Sequence, residues 1–121
     1  MEKLINGIKA KHDVPVILFG VGASHLAHEW NSLPIDVLGL DWRLSIKEAG
    51  NLHITRTLQG NLDPSLLLAP WDVIEERLKP ILDQGMEHGQ HIFNLGHGVF
   101  PEVKPETLKR ITTFVHDYTK R

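Results

Sequence analysis

Apolar positions along the chain follow two alternating periods. Four short runs, 15–19, 36–40, 55–59 and 91–95, are each about five residues long and end in glycine or a polar cluster. The first two (Pro15-Val16-Ile17-Leu18-Phe19 and Asp36-Val37-Leu38-Gly39-Leu40) are nearly continuous in apolar character, the pattern of a strand buried on both faces in a parallel sheet. Helical spacing fills the gaps between them. Leu26, Ala27, Trp30 and Leu33 form one stripe, with Ser24 at the N-cap position and Pro34 and Asp36 as the stop. Ser45-Ile46-Lys47-Glu48 has capping-box spacing, and Ala49-Gly50-Asn51 ends that helix early. Leu66, Leu67, Val73, Ile74, Leu78, Ile81 and Leu82 make the longest inward-facing pattern, which Pro80 is expected to kink or interrupt. Pro105 suits a first helical turn ahead of Leu108, Ile111, Thr112 and Val115. Leu4, Ile5 and Ile8 suggest the tail of a further helix before the first strand.

The order is therefore α–(βα)×4, which predicts parallel strands joined by right-handed crossovers in a single domain over residues 1–121. The loosest loops are expected at 85–89 and 98–104.

Composition narrows the chemistry. The chain has 121 residues, 13 Lys+Arg, 15 Asp+Glu, and a formal net charge of -2. That balance gives no electrostatic footprint for nucleic acid or an anionic membrane. The absence of Cys removes disulfides, zinc-thiolate sites, iron–sulfur clusters and a thiol nucleophile together. No apolar run reaches the ~18–20 residues of a membrane span, and the first residues lack a signal-peptide pattern. A soluble cytoplasmic protein, or part of one, is expected.

Polar and small residues follow each predicted strand: Gly20-Val21-Gly22-Ala23-Ser24-His25, Asp41-Trp42-Arg43, Gly60-Asn61-Leu62-Asp63-Pro64 and Gly96-His97-Gly98. Ligands of parallel α/β folds bind at the carboxyl ends of strands, where loops and helix N-termini converge. Glycine and aspartate also simply make turns there. His97, between two glycines, could donate a hydrogen bond to a carboxylate or carry a proton near neutral pH; it could equally bond a loop carbonyl. Asp41 could orient a donor or pair with Arg43. Gly20-Val21-Gly22 with Asp41 downstream begins like a dinucleotide fingerprint, but His25 stands where a third small residue belongs. His25 and His28, one helical turn apart, lack an obvious third metal ligand. The histidines at 12, 53, 88, 91 and 116 read as surface or turn positions.

Three segments carry a resemblance. Phe93-Asn94-Leu95-Gly96-His97-Gly98-Val99 followed by Pro101, Gly39-Leu40-Asp41-Trp42-Arg43, and Leu58-Gln59-Gly60-Asn61-Leu62-Asp63-Pro64 resemble the C-terminal motifs of the uroporphyrinogen decarboxylase family, in its order and spacing. The resemblance implies the C-terminal half of a TIM (β/α)8 barrel, since a whole barrel needs roughly 250 residues. It implies a homodimeric, cytoplasmic enzyme of porphyrin and haem biosynthesis. Such an enzyme takes carboxyl groups from the acetate arms of uroporphyrinogen III, giving coproporphyrinogen III, with no metal and no organic cofactor. Among the family's substrate-contacting residues only the histidine carries over, onto His97, for substrate binding and proton handling. Asp41 and Gln59 are expected to brace the barrel mouth. The family's arginine-rich segment, its pyrrole-binding Asp, and its Tyr and Ser have no counterpart here, so an isolated chain is expected to be inactive. A half barrel also exposes two strand edges, through which two copies could close a barrel-like assembly; an open doubly wound sheet is the other outcome. The alternative function is a stand-alone Rossmann- or flavodoxin-like nucleotide-binding module.

Overall fold

The computed structural model describes residues 1–120. Helix α1 (Glu2–Lys11) precedes β1 (Ile17–Leu18), α2 (Ala27–Asn31), β2 (Val37–Gly39), α3 (Ile46–Asn51), β3 (Thr57–Leu62), α4 (Trp71–His88), β4 (His91–Leu95) and α5 (Pro105–Tyr118). The four strands form one parallel sheet in the order β1-β2-β3-β4. There is no strand-order reversal, the switch point at which doubly wound sheets bind nucleotides.

Pleating sorts the strands into two faces. Leu38, Leu58 and Leu62 point to one face and are fully buried, Leu38 and Leu58 with Ile5 of α1, Ala27 of α2, and Ile46 and Ala49 of α3. Leu62 joins Ile74 and Leu78 of α4 and Ile111 of α5, with Phe93 and Leu95 packed against them. Contributions from all five helices thus lie against one side of the sheet. The opposite side carries Ile17 and Ile92, 48% and 42% exposed. Along β4, burial alternates residue by residue.

Several local expectations hold. Ser45 and Glu48 form the reciprocal capping box, and Pro105 sits in the first turn of α5. Others are corrected. β1 is two residues long and half exposed, not buried on both faces. β3 does not stop at Gln59 but continues to Leu62, because β4 pairs with it from Leu58 to Leu62. α4 runs unbroken through Pro80 to His88 and ends on Gly89 in the left-handed conformation, so residues 85–88 are helix and not loop. Val73 faces out, whereas Ile74, Leu78 and Leu82 face in. Of Leu4, Ile5 and Ile8 in α1 only Ile5 is buried. Among the described residues no helix is long and apolar enough to cross a membrane.

Candidate functional site at the carboxyl ends of the strands

Asp41, directly beyond β2, is 2% exposed and organises the loops around it. The Gly22 amide donates to its Oδ2 at 2.6 Å and Ser24 Oγ to its Oδ1 at 3.2 Å. The Arg43 amide donates to Oδ1 at 2.9 Å and the Arg43 guanidinium to Oδ2 at 2.7 Å. Burial pushes the Asp41 pKa up, but the bonds from Gly22, Arg43 and Ser24 together outweigh it and hold the carboxyl below its ordinary value of 3.8. Ser24 therefore does not cap a helix. Its hydroxyl serves Asp41, and the segment starts as a 3-10 turn over Ser24–Leu26.

Asn61, buried within β3, donates its side-chain amide to the carbonyl oxygens of Asp41 and Leu44. The ends of β2 and β3 and the loop after β1 are thereby joined in one polar network. Asn61 was within reach of sequence reasoning. An amide between Gly60 and Leu62, inside an apolar run and unable to be left unpaired when buried, is the available signal.

Trp42 links this network to His97. The Arg43 guanidinium lies over the Trp42 ring, 4.1 Å from its centroid. The Trp42 and His97 rings meet edge to face at 4.8 Å, and His97 meets Phe100 in the same way at 5.6 Å. Gly96 permits this approach, since a Cβ there would stand 2.7 Å from the Trp42 backbone nitrogen. His97 Nδ1–H donates to the Gly98 carbonyl at 2.8 Å. A carbonyl only accepts, so the proton of a neutral ring is assigned to Nδ1. Nε2 then accepts when the ring is neutral and donates when it is protonated. A cavity of about 450 Å³ opens here, lined in part by Phe19, Gln59, Asn94, His97 and Val99. A larger hollow of about 670 Å³ on the flank of α5, beside Trp71, Arg110 and Phe114, includes no strand-end residue.

The other sequence candidates fall elsewhere. The two parts of the apparent dinucleotide fingerprint, Gly22 and Asp41, hydrogen-bond each other. His25 and His28 are exposed, and no group of three or more potential metal ligands occurs among the described residues. His91 is not a surface position. Its Nε2–H donates to the Gly60 carbonyl at 2.6 Å, and its ring packs so closely on α4 that a Cβ at Gly85 would overlap it. Burial pushes the His91 pKa below 6.5; the Gly60 bond opposes that shift and nearby His88 adds to it. Gln59 lines the cavity beside His97.

Residues 1–118 match the family model described as uroporphyrinogen decarboxylase (URO-D). The chain is 84% identical over all 121 residues to a protein of Staphylococcus saprophyticus named uroporphyrinogen decarboxylase. It is 76% identical over the same length to the protein of that name from Staphylococcus aureus strain USA300. It spans 35% of the length of each of these curated relatives.

Proposed function

The chain belongs to the uroporphyrinogen decarboxylase family, and from that premise we propose that its four βα units supply the C-terminal half of a (β/α)8 barrel that converts uroporphyrinogen III to coproporphyrinogen III. The unreversed strand order, with helices packed on one face, supports the barrel over a nucleotide-binding module. The reading extends to a homodimeric cytoplasmic enzyme working without metal or organic cofactor.

An acetate arm loses carbon dioxide most easily once the pyrrole carbon beside it is protonated. The electrons of the breaking C–C bond then flow into the cationic ring, the methylene left behind takes up a proton, and the ring carbon gives its own proton back, which restores the neutral pyrrole. The protein must stabilise the ring cation and hold the carboxylates in a sheltered setting. His97 is the residue of this chain assigned to that task. With Nδ1–H committed to Gly98, a protonated ring presents Nε2–H to a substrate carboxylate, and a neutral ring presents a lone pair to a proton. Trp42 and Phe100 keep the imidazole in place between apolar rings. Asp41 and Asn61 brace the mouth without reacting. The observation that carries the reading is His97 beside the cavity at the carboxyl ends of the parallel strands.

The test is a graft. The matching 121 residues of the Staphylococcus saprophyticus protein are replaced by this chain, and conversion of uroporphyrinogen is followed. The chimera is expected to turn over. His97→Asn in it is expected to lower kcat/KM roughly tenfold or more, the equivalent of one lost charge-assisted hydrogen bond of about 1.5 kcal/mol. A folded chimera without turnover would overturn the function, and an unimpaired His97→Asn chimera the site. The 121-residue chain alone is expected to show no turnover.

A further inference from the structure

We infer that Phe19 is a catalytic residue, its π system stabilising the cationic pyrrole ring on which the decarboxylation depends. The inference rests on the decarboxylase reading above and adds to it a second residue on the wall of the cavity beside His97.

The backbone places the ring. Phe19 directly follows β1 (Ile17–Leu18). In β2, Leu38 points to the helices, so Gly39 turns to the helix-free side. A Cβ at Gly39 would stand 2.9 Å from both Cβ and Cδ2 of Phe19, closer than carbon atoms pack. The glycine therefore makes room for the phenylalanine to lie across the end of β2. The next residue points the other way, since a Cβ at Gly20 would meet the ring of Trp30 on α2. Phe19 belongs to neither hydrophobic cluster under the helices. The contact that seats it lies between β1 and β2, neighbouring strands of this chain.

The cavity beside His97 is bordered by Phe19, Leu40, Gln59 and Val99, with Gln59 level with Gly39 on β3. Among the described residues no Asp or Glu lines it, and apolar walls raise the cost of an unanswered charge. The pyrrole becomes positively charged before the arm breaks. An aromatic face attracts a cation within about 6 Å of its centroid through its quadrupole, more strongly once water is excluded. The neutral ring of the bound substrate gains far less from the same contact. The interaction is thus stronger in the charged state than in the ground state, which is the condition for raising kcat and not merely lowering KM. An aliphatic side chain of similar size packs as well but carries no quadrupole. His97 serves the carboxylate and the proton, and Phe19 answers the ring.

The experiment uses the chimera with the Staphylococcus saprophyticus protein and reads the chemical step by single-turnover conversion of uroporphyrinogen. Phe19→Leu is expected to lower that rate roughly tenfold while shifting KM by less than about threefold. Phe19→Tyr, which restores the aromatic face, is expected to stay within about threefold of the parent. Mono-, di- and trifluorinated phenylalanines in place of Phe19 keep its shape and progressively weaken its π face. The rate is expected to fall stepwise along that series, which decides the matter even where Phe19→Leu fails to fold. An unchanged rate in a folded Phe19→Leu chimera, a flat fluorine series, or a loss confined to KM would each overturn the assignment and leave the decarboxylase reading standing. An unsubstituted chimera that folds without turnover would overturn both.

Discussion

The Gly22 amide and the Asp41 carboxylate, nineteen residues apart, hydrogen-bond each other at 2.6 Å. In sequence they read as the two ends of a cofactor site. In the fold each satisfies the other, and the carboxylate draws Ser24 and Arg43 into the same network.

Removing that carboxylate leaves the Gly22 and Arg43 amides without their acceptor. Asp41→Ala is expected to lower unfolding free energy by about 2–4 kcal/mol, with little of it from the ion pair, because Arg43 is half exposed. Urea unfolding measures it. The Asp41 pKa lies below 3.8 in the folded state, so its contribution is complete above that value and is lost as pH falls through the folded one. Asp41→Asn should accordingly flatten the acid limb of stability below about pH 4. An unchanged acid limb would mean that the carboxylate is not the group that matters.

His91 acts in a different pH window. Burial lowers its folded pKa beneath 6.5. Well above that value neither state holds a proton there. As pH falls through it, the unfolded chain protonates first and stability declines until the folded ring protonates too. Urea midpoints between pH 8 and 5 are expected to fall on acidification, and His91→Gln, which can still donate to the Gly60 carbonyl, is expected to reduce that slope.

The inward side of α4 is set by Ile74, Leu78 and Leu82. Leu78→Ala is expected to cost about 2–5 kcal/mol through the cavity it leaves. Val73→Ala, on the exposed side, should change stability by less than about 0.5 kcal/mol. Equal losses at the two positions would contradict the packing described.

Pro80 sits in mid-helix, exposed. It removes one i→i−4 hydrogen bond and crowds the preceding turn. Pro80→Ala is expected to raise stability by about 1–3 kcal/mol, measured by thermal or urea unfolding. A loss would show that the ring makes a contact the helix needs.

The sequence by itself determined the parallel βα order, the capping box at Ser45, the proline start of α5, and the gathering of polar residues beyond the strands, including His97. Each depends on residues within a few positions of one another, where steric preference and hydrophobic period act directly. Tertiary structure decided what depends on distant partners. β3 extends to Leu62 only because β4 lies alongside it. α4 continues past Pro80, its Ile74, Leu78 and Leu82 held against the sheet. Ser24 turns from capping to Asp41, His91 is buried against Gly85, and Asn61 joins β3 to the ends of its neighbours. A local pattern fixes which elements form. Only packing fixes where a strand ends and which polar atoms must satisfy each other, because both are settled largely by residues seventeen or more positions away.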